Sequence, residues 1–155
     1  MKVSEIIEEL SRLVQLEADA VAAYDAALEL LPAGPVHDEL ALFRLEHQRH
    51  AMALYDVFMR LAKTPPEVEP DVKGVVIGAL TPRAIRSLAE LLDALRGNEQ
   101  LTTSLYAKAR SKSFPQTIRE LLDRAHGEER HHLDWIERAL SRLGTAAGAA
   151  AAAHP

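Results

Sequence analysis

Four long stretches of this chain place apolar residues at intervals of three and four, the period of one face of an α-helix. The first runs from about Ser4 to Leu31 and carries Leu10, Leu13, Glu17, Val21, Tyr24, Leu28 and Leu31 on one stripe. Ser4 is a candidate N-cap, with Glu5 and Glu8 in the first turns. The second, from about Val36 to Ala62, has Leu40, Phe43, His47, His50, Leu54, Val57 and Leu61 in phase. The third is expected to begin at Thr81-Pro82, a cap followed by proline, and to continue through Leu88, Leu92, Leu95, Glu99, Thr102 and Tyr106. The fourth starts near Pro115, shows Ile118, Leu122, Ala125, Glu129, His132, Ile136 and Ala139, and is expected to stop at Gly144.

The connections decide the topology. Stretches one and two, and again three and four, are joined by only a few residues, so each pair forms an antiparallel hairpin. Between the pairs lie residues 63 to 81, with Pro65, Pro66 and Pro70 and the apolar run Val75-Val76-Ile77. A helix of this size is roughly 40 Å long, and an extended strap at ~3.3 Å per residue covers that distance. The second and third helices are therefore expected to run parallel. The fold class is all-α: a four-helix bundle over residues 1–144, two antiparallel hairpins joined by a long crossover, then a flexible Ala-rich tail over 145–155.

Composition narrows the chemistry. There is no cysteine, which excludes a disulfide scaffold, a thiolate nucleophile and thiolate-bound iron–sulfur or zinc. A net charge of -5 makes nonspecific nucleic-acid binding a poor expectation. Arg83, Arg86 and Arg96 are interleaved with Glu90, Asp93 and Glu99, and Lys108, Arg110 and Lys112 sit where they complement a helix dipole. No run approaches the roughly 18 apolar residues of a membrane span, and the N-terminus lacks the order of a signal peptide, so a cytoplasmic protein is expected. No Gly-rich phosphate loop or serine nucleophile elbow occurs.

Sliding the chain over itself by 82 residues pairs Glu17 with Glu99, Tyr24 with Tyr106, Glu46 with Glu128 and His50 with His132. Leu10 and Leu92, and Leu13 and Leu95, coincide in the same register. Two hairpins related by a pseudo-twofold axis would give this pattern. The polar members interrupt the apolar stripes, and a carboxylate facing a bundle core is costly unless positive charge lies beside it. Four helices that each bring such groups to a middle layer can build a carboxylate-bridged dimetal site. Glu129 and His132, at i,i+3, share one face and can hold a common ion. An oxygen and nitrogen donor set suits iron, manganese or zinc.

The layout resembles the ferritin-like superfamily, which includes ferritins, bacterioferritins, rubrerythrin domains and manganese catalases; the small bacterial ferritin-like four-helix proteins are nearest in length. The resemblance covers Ser4 to Leu143. It implies a glutamate from helix one (Glu17), a glutamate from helix three (Glu99), and Glu-x-x-His from helix four. That last motif occurs as Glu128-x-x-His131 and as Glu129-x-x-His132, and helical phase favours the second. Helix two departs from the pattern, reading Glu46-His47-Gln48-Arg49-His50. His47-x-x-His50 has the phase without the carboxylate, whereas Glu46 and His50 form an i,i+4 pair. The metal ligands expected by resemblance are Glu17, Glu46, His50, Glu99, Glu129 and His132. The implied cofactor is iron, with manganese or zinc as variants, and the implied activity is oxidation of iron(II) with dioxygen or peroxide by a homodimer. Two rivals stand beside it: a metal-free structural or interaction module, and a mononuclear zinc site on His50 and His132. Tyr24, Tyr106, Met52 and Met59 are read as packing residues, and Trp135 as a residue of a groove or a subunit interface.

Overall fold

The computed structural model describes residues 1–61, 64, 67, 69, 80, 81 and 84–152, with side chains as far as 148. Four helices make up the described chain: α1 (Val3–Glu29), α2 (Pro35–Leu61), α3 (Leu88–Arg110) and α4 (Gln116–Ala152). α1 packs along α2 and α3 along α4, while α1 also touches α3 and α2 touches α4. The helices therefore stand at the corners of a square, with α1 opposite α4 and α2 opposite α3. α2 and α4 are the least closely packed neighbours.

Two apolar clusters fill the ends of the bundle. One gathers Leu10 and Leu13 from the start of α1, Leu54 and Phe58 from the end of α2, Tyr106 and Ala109 from the end of α3, and Ile118 and Leu122 from the start of α4. The other gathers Tyr24, Ala27, Leu40, Phe43, Leu91, Leu92, Leu95 and Ile136 from the opposite ends. α2 thus finishes where α3 finishes, and the two run parallel, as the length of the crossover predicts. Of that crossover, Leu80 is buried in the second cluster, and the Glu69 carbonyl accepts a 2.8 Å hydrogen bond from the Gln15 side chain. Its prolines and the Val75-Val76-Ile77 run lie outside the described residues.

The helix ends differ from expectation in three places. α1 starts one residue before Ser4; the Glu5 carboxylate accepts a hydrogen bond from the Lys2 backbone N–H at 2.7 Å. Thr81 organises only a turn, its carbonyl accepting from Ala84 and Ile85, after which Ser87 is extended and α3 begins at Leu88. Ser87 is the true cap: its hydroxyl accepts from the Glu90 N–H at 3.2 Å, and the Glu90 carboxylate accepts from the Arg86 N–H at 2.6 Å. α4 passes through Gly144 to Ala152. The surrounding alanines favour helix enough to outweigh the ~1 kcal/mol that a helical glycine costs. In the α1–α2 turn, Gly34 adopts φ +156°, a conformation that L side chains rarely take.

Candidate metal centre

Between the two apolar clusters lies a layer of ionisable groups with almost no contact with solvent. Glu17, His47, Glu99, Glu129 and His132 are each 0% exposed, and His50 is 6% exposed. α1 supplies Glu17, α3 supplies Glu99, and the i,i+3 pairs His47/His50 and Glu129/His132 come from α2 and α4. Each helix turns these positions inward because they continue its apolar stripe, as in Phe43-His47-His50-Leu54 on α2.

Their donor atoms fall into two overlapping groups among the described residues: Glu17, His47, His50 and Glu129, and His47, Glu99, Glu129 and His132. Within each group the donor atoms lie within 4.8 Å of one another. In the first group His47 Nδ1 is 2.8 Å from Glu17 Oε2 and 3.3 Å from Glu129 Oε1, and His50 Nδ1 is 2.9 Å from Glu129 Oε1 and 3.3 Å from Glu17 Oε1. In the second, His47 Nε2 is 3.1 Å from Glu99 Oε1, and His132 Nδ1 is 3.6 Å from Glu99 Oε2 and 3.8 Å from Glu129 Oε2. His47 and Glu129 belong to both groups.

A further set of residues holds the donors in place, and it does so crosswise. Tyr24 of α1 donates its hydroxyl to Glu99 Oε1 of α3 at 2.5 Å, and Tyr106 of α3 donates to Glu17 of α1. Glu46 of α2 lies 2.6 Å from His132 Nε2 of α4, and Glu128 of α4 lies 2.7 Å from His50 Nε2 of α2. With Nε2 donating outward to a carboxylate, each ring directs Nδ1 into the layer, the arrangement that orients and tunes a metal-binding imidazole. Phe43 stacks on the His132 ring at 4.3 Å and fixes its plane.

Electrostatics follow from this packing. Burial opposes the charge on Glu17, yet the hydrogen bonds from His47 and His50 and their positive charge hold its carboxyl below the ordinary value. Glu99 is lowered in the same way by His47 and His132. Burial likewise works against charged His50 and His132, but the facing carboxylates push them up to about 10 and about 9. His47, among Glu129, Glu99 and Glu17, is raised well above the usual imidazole range. For Glu129 burial prevails and its carboxyl is raised.

Protons on the imidazoles satisfy much of the layer, but not all of it. Glu99 Oε2, Glu129 Oε2 and His132 Nδ1 are buried without a hydrogen-bond partner, and they face one another in the second group. Leaving buried polar atoms unpaired is costly. Two carboxylate oxygens and an imidazole nitrogen converging on one point are a donor set for a divalent cation. The residues present fit a metal pair.

The structure brings Glu17, His50, Glu99, Glu129 and His132 into the layer. It seats Glu46 outside, half-buried, against His132 and paired with Arg49 at 3.1 Å. His47 takes the inner place instead, because it and not Glu46 lies on the buried stripe of α2. His50 and His132 fall in different groups, so a mononuclear site on that pair does not match this arrangement. Tyr24 and Tyr106 pack as expected and also bond the carboxylates, whereas Met52 and Met59 are exposed rather than packed. The 82-residue offset held a further signal: it sets His47 against Glu129, the two residues shared by both groups.

Among the described residues, a cleft reaches the layer from outside. It measures about 360 Å³ and runs between α2 and α4, with His50 and Glu128 in its wall. Among the described residues, no helix is long and apolar enough to cross a membrane. Comparison with known proteins adds no identity: no protein-family model matches the chain, and neither does any curated protein.

Proposed function

We propose that this chain is a ferritin-like dimetal protein, its paired site most suited to iron, that oxidises iron(II) with dioxygen or peroxide. The observation that carries the reading is the convergence of Glu99 Oε2, Glu129 Oε2 and His132 Nδ1, three buried donors without partners, inside one of two overlapping donor groups. Glu17, His50 and Glu129 would hold one ion and Glu99, His132 and Glu129 the other, with His47 serving one of the two through its unprotonated nitrogen. A bound pair of redox-active ions would supply the electrons for reduction of the oxidant.

The protein's own contribution is position, charge and exclusion of water. Tyr24 and Tyr106 each occupy one oxygen of Glu99 and Glu17, which keeps these carboxylates from rotating. Glu46 and Glu128 fix the tautomer of His132 and His50, so that Nδ1 can ligate once its proton has left. The apolar clusters above and below close the two ends of the layer to bulk water. Elemental analysis tests the reading, on protein purified aerobically and again after anaerobic iron(II) loading. About two ions per chain, lost in Glu129→Ala, is the expected result for a paired site; no bound metal in either preparation refutes it.

A second reading, a metal-free interaction module, draws on His47. Its ring already bridges Glu17 and Glu99, so a proton there does part of a cation's work. The same elemental analysis separates the two. Either reading accommodates a homodimer, since Leu42, Leu45, Met52 and Met59 stand exposed at spacings of three and seven along α2. Light scattering across a concentration series, with Met52→Glu as the disrupting variant, tests that association.

A further inference from the structure

The pseudo-twofold that matches Glu17 to Glu99 and His50 to His132 is broken in the groove between α2 and α4. Near His132 the groove is filled: Phe43 stacks on the imidazole at 4.3 Å, and Trp135 meets Phe43 edge-on at 5.6 Å. The residues matched to these by the 82-residue offset are Ala125 and Ala53. Both alanines line the cleft of about 360 Å³ that ends on His50. One half of a symmetric groove is thus plugged by two aromatic rings, and the other is open because two methyl groups stand in their place. The open half leads to the one member of the donor layer with any solvent exposure, His50 at 6%.

We propose that this cleft is the ligand-access pocket of the metal centre, that it serves the His50 side alone, and that it takes a small organic anion such as a carboxylate. This inference rests on the dimetal reading above. Ala53, Leu121 and Ala125 supply apolar wall, and Arg49 and Arg124 supply positive charge. Of the acidic groups beside them, Glu128 meets His50 at 2.7 Å, whereas Glu120 accepts from the Gln116 side chain at 2.9 Å and keeps its negative charge. Arg124 makes no ion pair with any described residue, whereas Arg49 leans on Glu46 and Glu128. Its volume lies at the small end of ligand pockets, roughly 300–1,000 Å³, which suits a compact monoanion.

The test uses the full chain loaded with cobalt(II), whose visible absorption reports a change of ligand, titrated with azide and with benzoate. Wild type is expected to give a saturable spectral change with both anions. Ala125→Phe and Ala53→Trp rebuild the plugged half on the open side and should weaken both titrations roughly tenfold or more at unchanged cobalt content. Arg124 is exposed, so Arg124→Glu is expected to keep the fold, and it should weaken benzoate binding severalfold. Cobalt uptake with no response to either anion, or titrations unchanged in all three variants, overturns the pocket and leaves the dimetal reading standing. Failure to take up cobalt overturns both.

Discussion

Glu46 on α2 and His132 on α4 are joined by a 2.6 Å contact between carboxylate and Nε2, on the side of the imidazole that faces away from the buried donors. In the dimetal reading we propose, this contact gives Glu46 a positioning role toward His132. Glu46→Gln keeps the shape but weakens the acceptor, so metal affinity is expected to fall about 10- to 100-fold, with the number of ions per chain preserved at saturation. Glu129→Gln, by contrast, should lower the number itself. Equilibrium dialysis of the two variants against iron(II) separates these outcomes, and equal loss of stoichiometry in both would place Glu46 among the ligands.

His47 is the one departure from the twofold match of the donor layer, standing opposite Glu129. A carboxylate can bridge two ions through its two oxygens, whereas an imidazole nitrogen serves one ion only. His47→Glu restores four carboxylates and two imidazoles around the pair. The second ion is then expected to bind roughly tenfold tighter or more, while the metal-free protein loses stability because a buried cation partner has become another buried anion. Calorimetric titration and thermal unfolding on the same samples measure both effects.

The tyrosine hydroxyls are buried and bonded to ionised carboxylates, a stronger class of hydrogen bond than a neutral pair. Tyr24→Phe and Tyr106→Phe are each expected to destabilise the protein by about 1.5–3 kcal/mol. The pseudo-twofold predicts similar losses from the two. Urea denaturation with chelator present reads the effect without interference from metal.

The pH dependence of the metal-free protein has a definite sign. His50 and His132 are raised from 6.5 to about 10 and about 9, so their stabilising contribution is full below pH 6.5 and is lost as pH rises through those values. Glu17 and Glu99 are lowered from 4.5, so their contribution is present above pH 4.5 and is lost on acidification, while Glu129, raised from 4.5, acts in the opposite sense. Stability in chelator should therefore be greatest between about pH 5 and 6.5 and decline markedly by pH 9. Divalent metal should offset the alkaline decline, since ions then take the place of the imidazole protons. Denaturation midpoints at pH 6 and pH 9, with and without metal, give the comparison.

Periodicity and connection length together determined the bundle. Stripes at three and four placed Glu17, His47, His50, Glu99, Glu129 and His132 on inner faces, and a long crossover made α2 and α3 parallel. The 82-residue offset carried the twofold match as well. The stripe of α2 contains His47 and not Glu46, so the periodicity held the signal, and a preference for a carboxylate there points one residue away. Only the tertiary structure decided what touches what: that Tyr24 serves Glu99 and not its neighbour Glu17, that Glu46 serves His132, and that the groove closes at Phe43 and opens at Ala125. A helical pattern fixes the face a residue occupies. Which partner it meets across the bundle depends on the rotation and axial offset of every helix at once, and these are set by packing all four against one another.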